Sequence, residues 1–122
     1  NDEVELTLPG GERLTAVVTH ASVETLGLAV GVEAIALIKA SWVLVAVDDG
    51  KPMKLSARNQ LKGKVLRLTP GAVNTEVVID LGGGNSIAAI ITKTAAEELA
   101  LKVGKPAIAI FKASSVILGV GT

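Results

Sequence analysis

The chain predicts an all-β fold built as two small barrels in tandem, each carrying one short helix. Three observations lead there. Sliding the sequence by 73 positions lays residues 1–49 on residues 74–122 without a gap, and 21 of the 49 pairs are identical. Short apolar segments that alternate with polar residues recur at matching places in both copies, the pattern of strands with one buried face. Thirteen glycines punctuate the chain while it holds one Phe, one Trp and no Tyr. A core of Val, Ile, Leu and Ala folded back at many tight turns favours strands over a helical bundle.

The repeat fixes the organisation before any element is assigned. Asn1, Glu3 and Val4 fall on Asn74, Glu76 and Val77; Gly10 and Gly11 on Gly83 and Gly84; Thr19 on Thr92; and Lys39-Ala40-Ser41 on Lys112-Ala113-Ser114. The copies are unequal in extent, because the second starts upstream of Asn74. We expect a first module over 1–49, a linker over 50–54 and a second module over 55–122. The first module then lacks a leading strand, which is expected upstream of Asn1, since an unpaired edge is something proteins usually avoid.

Each element follows from its local pattern. Val4 to Leu8 alternates and reads as a strand, Pro9-Gly10-Gly11 as a turn, and Leu14 to Val18 as the returning strand. His20 to Leu28 has helical spacing through Val23 and Leu26 and stops before Gly31. Ala34 to Lys39 and Trp42 to Val47 read as two strands around Ala40-Ser41. Copy two repeats the scheme with Glu76–Leu81, the hairpin turn Gly82–Asn85, Ile87–Ile91, a helix from Ala95 to Leu101, Ala107–Lys112 and Ser115–Val120. Its additional leading strand runs from Leu61 to Leu68, and Asp48-Asp49-Gly50-Lys51-Pro52 is the polar turn between copies. Five short strands with one short helix match a small barrel of the OB type.

Composition excludes several function classes. With no cysteine there are no disulfides, thiolate metal sites or thiol nucleophiles. A single histidine gives a metal site no second nitrogen and offers a Ser-His-acid triad little to build on, so no enzyme is expected. No apolar run approaches the roughly 18–20 residues that span a bilayer, and no secretory leader opens the chain. Formal net charge is zero, which gives no global attraction to nucleic acid or membrane. The balance hides an asymmetry: residues 1–49 hold two basic side chains against eight acidic ones, residues 50–122 ten against four. Lys51 to Arg67 carries six cations and no acid, so it calls for an anionic neighbour, either copy one or a bound anion.

Several positions suit an oxyanion. Thr94 and Glu97 form a capping-box pattern at the second helix start, and Thr19 and Ser22 place hydroxyls three apart at the first. A helix start presents free N–H groups and positive dipole; capping alone is the bland alternative. Lys39 and Lys112 close equivalent strands, either merely solvated or aimed at an anion. Ser56-Ala57-Arg58-Asn59 packs hydroxyl, guanidinium and amide into four residues, and the Arg fork fits tetrahedral anions. Gly82-Gly83-Gly84 lacks the Lys-Ser/Thr of a phosphate loop and reads as a hairpin.

The segments Ser-Ala-Arg-Asn (56–59), Gly-Ala-Val-Asn (71–74), Lys-Ala-Ser-Trp-Val (39–43) and Lys-Ala-Ser-Ser-Val-Ile-Leu-Gly-Val (112–120) resemble the molbindin, or Mop, family. The resemblance covers nearly the whole chain, and the tandem arrangement is similar to di-Mop proteins. It implies OB-like modules of Mop/TOBE type, strand exchange between subunits of a homotrimer, and cytoplasmic storage or homeostasis of molybdate, with tungstate hard to exclude. The ligands it implies are Thr19, Ser22, Lys39, Ser56, Ala57 (through backbone N–H) and Arg58. Copy two adds Thr92 and Lys112, with Val73 and Asn74 as backbone contacts of a second kind of site. The equivalent of Ser22 is Ala95, so the copies need not bind equally. The fullest site is expected to join Ser56 and Arg58 of one module to Thr19, Ser22 and Lys39 of another. Two other readings stand beside storage: the molybdate-sensing part of a transcription regulator or transporter ATPase, and an OB-type nucleic-acid binder. The last rests only on fold and the Lys51–Arg67 run, and it lacks the exposed aromatics that stack bases.

Overall fold

The computed structural model describes residues 1–51 and 54–121. Pro52 and Met53 of the expected linker, and Thr122, lie outside the described residues. Copy one opens with the hairpin β1 (Asp2–Thr7) and β2 (Arg13–Val18), paired antiparallel from Asp2↔Val18 to Thr7↔Arg13. Helix α1 (His20–Leu26) follows, then β3 (Ile35–Leu37), a 3₁₀ turn over Ala40–Trp42, and β4 (Leu44–Val47). Copy two adds the long β5 (Asn59–Pro70) and repeats the order with β6 (Asn74–Gly82), β7 (Asn85–Thr92) and α2 (Lys93–Glu98). It ends with β8 (Pro106–Phe111), a 3₁₀ turn over Ala113–Ser115 and β9 (Ile117–Gly119).

The copies exchange their last strands. β4 of copy one pairs with β8 of copy two, while β9 of copy two pairs with β3 of copy one. The first 3₁₀ turn accordingly packs on β7 and the second on β2, so each copy closes the other. β5 serves two partners in succession. Asn59–Lys64 pairs with β8, and Lys64–Pro70 with β6 after a register shift between Val65 and Arg67. Gly63 sits where a Cβ would meet the Asp80 carbonyl oxygen at 2.1 Å, so only glycine lets the strands approach there. The central sheet therefore runs β4-β8-β5-β6-β7.

One apolar cluster joins both copies: Leu14, Ala16 and Val43 pack with Leu61, Val65, Val77, Ile79, Ala89, Phe111, Val116 and Leu118. The hairpin tips also touch, with the Asn85 side-chain amide donating to the Pro9 carbonyl at 2.6 Å. Asn59, 2 % exposed, ties β5 to copy one: its Oδ1 accepts from the Thr15 N–H and its Nδ2 donates to the Thr15 carbonyl, both at 2.8 Å.

Several elements differ from the sequence expectation. α1 stops at Leu26 because Gly27 takes the left-handed C-cap conformation, φ 64°, and returns its N–H to Glu24 and Val23. The second helix runs Lys93–Glu98, and its cap is Thr92, which accepts the Ala95 N–H at 3.1 Å; the expected capping box of Thr94 and Glu97 is inside or past that start. β3 is three residues long where six were expected: among the described residues β9 alone pairs with it, whereas its counterpart β8 is held between β4 and β5.

Candidate functional site

At the end of β2 the chain bends at Thr19, extended at φ −69° and ψ 151°, and enters α1. Its hydroxyl accepts the Ser22 N–H at 3.1 Å and lies 2.8 Å from the Ser22 hydroxyl, so the cap holds two oxygens side by side. Both face a cleft of about 310 Å³ that is completed by the other copy. Asn1, Val17, Val18 and Leu26 line it with them on one side; Ser114, Val116, Ile117 and Leu118 close the other. Strand exchange brings Ser114 there, because its 3₁₀ turn packs against β2.

A second cleft of about 410 Å³ adjoins the first through Ser114. Ser41, Trp42 and Leu44 of copy one line it with Ala57, Ile110, Phe111, Lys112 and Ser115 of copy two. Among the described residues, Lys112 is the one cationic side chain in either lining. The two clefts thus offer a row of neutral hydroxyl donors with one ammonium at the edge. Hydroxyls and a cation suit an anion and present no cluster of His, Cys, Asp or Glu that could hold a metal cation, nor does one occur elsewhere among the described residues.

The remaining candidates are spread around these clefts. Arg58 spends its fork on Glu3, with contacts of 2.9 and 3.1 Å to the two carboxylate oxygens. That pair, and Asn59 on Thr15, places the start of the basic stretch against acidic copy one, while Arg67 faces Glu76 of its own copy at 3.7 Å. Lys39 lies over the Trp42 ring, 5.6 Å from its centroid. Ser56 is exposed on the bend that leads to β5. Val73, Asn74 and Thr92 do meet: Asn74 pairs with Thr92 across β6–β7, and the Val73 carbonyl accepts the Lys93 N–H at 2.9 Å. Within one chain, then, Ser56, Arg58 and Lys39 do not share a cleft lining with Thr19 and Ser22.

Sequence reasoning passed over Ser114, Ser41 and Ser115. The signal was present in the repeated Lys-Ala-Ser, from which only the lysine was singled out. His20, next to the cap, is bracketed by carboxylates: Nδ1 is 2.7 Å from Asp2 and Nε2 2.9 Å from Glu24. The Asp2 hydrogen bond first, then its charge, with a smaller contribution from Glu24, raises the imidazole above its ordinary value of 6.5.

Comparison with known proteins decides the family. The TOBE domain profile matches residues 1–45 and 55–118. The chain belongs to the TOBE-domain family. Its relatives there include the molybdenum-pterin-binding protein MopA of Rhodobacter capsulatus, 54% identical over 97% of this chain and 44% of MopA. The transcriptional regulator ModE of Yersinia pestis is 38% identical over 89% of this chain and 41% of its own length. The chain spans less than half the length of both these relatives. A crystal structure of the cytoplasmic molybdate-binding protein ModG with molybdate bound superposes with a TM-score of 0.91 at 50% identity, covering 98% of this chain and 84% of ModG. The resemblance to the Mop proteins therefore holds, and the two copies are OB-like TOBE modules of an all-β fold with short helices.

Proposed function

We propose that this chain binds molybdate, and tungstate with it, as a tetrahedral dianion in intracellular molybdenum storage and homeostasis. The observation that carries this reading is the match of both copies and their connection to a molybdate-bound ModG structure at half identity. The clefts supply what capture of a dianion requires. Hydroxyls of Thr19, Ser22 and Ser114 and nearby N–H groups donate charge-assisted hydrogen bonds, and Lys112 contributes charge. No bond of the ligand is made or broken, so the activity is capture and release. Sulfate has the same charge and shape, and cleft size is what separates it from the larger molybdate.

The same reading includes a homotrimer in the cytoplasm, its subunits exchanging strands as the two copies do within the chain. Lys39, Ser56 and Arg58 then meet Thr19 and Ser22 from different modules or subunits, with Arg58 released from Glu3 to the anion. A second reading, the sensing part of a transcription regulator, is favoured by the similarity to the Yersinia regulator over nearly nine-tenths of the chain. Anion-dependent DNA binding by a full-length protein would select it. Calorimetric titration with molybdate, tungstate and sulfate tests the common claim of both. Comparable binding of the first two and at least tenfold weaker sulfate binding is expected; equal sulfate binding, or no heat with molybdate, would overturn it.

A further inference from the structure

The position after each helix cap carries a different base in each copy. The repeat lays His20 on Lys93, directly after the capping threonines Thr19 and Thr92. Asp2 falls on Thr75, and Glu24 on Glu97. Copy one therefore sets an imidazole between two carboxylates, with Nδ1 2.7 Å from Asp2 and Nε2 2.9 Å from Glu24. This bracket borders the cleft of about 310 Å³ that holds the Thr19 and Ser22 hydroxyls. Asp2 adjoins Asn1 and pairs with Val18, and Glu24 lies between Ser22 and Leu26 on α1; all four of these neighbours line the cleft. The charged groups that act on the ring are Asp2 from β1, Glu24 from its own helix and, opposing them, the amino group of Asn1.

We propose that position 20 sets the charge beside the Thr19–Ser22 cleft, so that copy one takes up an oxyanion when His20 is protonated and releases it when the ring is neutral. The inference rests on the oxyanion reading and deepens it by naming what regulates that cleft. A protonated ring cancels one of its two carboxylates; a neutral ring cancels neither, which adds a negative charge beside a dianion. Deprotonation also removes a donor, since one N–H cannot serve Asp2 and Glu24 together. The start of α1, which holds the two hydroxyls side by side, is then less firmly tied. A lysine stays protonated across the range in which an imidazole titrates, so Lys93 keeps the matching place in copy two cationic. Because the bracket raises the imidazole above its ordinary 6.5, the release falls on the alkaline side of that value. The side chain is 68% exposed, so water and salt screen its charge. The change in affinity is then about threefold.

The test is calorimetric titration of the full chain with molybdate on the acid and alkaline sides of the His20 midpoint. Affinity should fall about threefold from the acid to the alkaline side. His20→Lys should keep the acid-side affinity on both sides, and His20→Gln the alkaline-side affinity on both. A second readout needs no variant. Saturating molybdate should raise the proton affinity of the His20 ring, followed by NMR, by the same factor by which protonation raises the affinity for molybdate. Three results would overturn the proposal while leaving the oxyanion reading in place. The first is an affinity that does not change with pH. The second is a pH dependence that persists in His20→Lys, which would belong to the Asn1 amino group or to the anion itself. The third is a His20 midpoint unmoved by saturating molybdate. No molybdate binding on either side of the midpoint would remove the oxyanion reading, and this proposal with it.

Discussion

His20 illustrates how much of the local chemistry depends on single side chains. A neutral imidazole has one N–H and can donate to Asp2 or to Glu24, whereas the protonated ring donates to both. Its folded pKa lies above the ordinary 6.5, so the stabilisation of this bracket is complete below that value and fades as pH rises through the folded pKa. Titration of the His20 ring by NMR should show a midpoint above 6.5, and Asp2→Asn should lower it; an unmoved midpoint in the variant contradicts the assignment. The Asp2 contact was not legible from the sequence, because Asp2 is eighteen residues from His20 and only the β1–β2 register brings them together; the Glu24 contact is local, four residues along the same helix. Thr19 and Ser22, by contrast, were readable as a pair, since a capping motif is local. Ser114 was not, because strand exchange carries it to the other copy.

At the scale of elements, the hairpins, helices and strand order of each copy were legible from alternation and from the repeat, while the ends and partners were set by tertiary contacts. β5 outran its expected bounds because its first residues pair with β8 and its last with β6. Its attachment to copy one rests on Asn59. Asn59→Ala leaves a buried N–H and carbonyl of Thr15 without partners, at about 1–3 kcal/mol each. Urea unfolding should show a loss on the order of 2–4 kcal/mol, and a negligible change would remove Asn59 from this role. The helix ends differ in another way. Gly27 ends α1 at φ 64°, but the same place in copy two is Ala100 at φ 51°, the one described non-glycine residue with positive φ. Lys105 compensates by donating from Nζ to the Leu99 and Ala100 carbonyls at 2.7 and 3.2 Å. Ala100→Gly should therefore stabilise the protein, by about 0.5–1 kcal/mol once the added chain entropy is counted. A fall in melting temperature would contradict that.

For the whole molecule, duplication has produced two modules that share one core and complete one another, yet are not equivalent. Copy one is acidic and holds the Thr19–Ser22 hydroxyl pair; copy two is basic and has Ala95 where the second hydroxyl would be. The sequence alone shows that inequality, but the clefts themselves belong to the exchange, since each is lined from both copies. We propose that the oxyanion is held where the copies meet. Crystals grown with molybdate and measured at the molybdenum absorption edge locate the metal directly by anomalous scattering. The peak is expected within hydrogen-bond reach of the Thr19 and Ser22 hydroxyls, beside the turn that carries Ser114. Peaks confined to exposed lysines such as Lys54 and Lys102, or no peak at saturating molybdate, would contradict it.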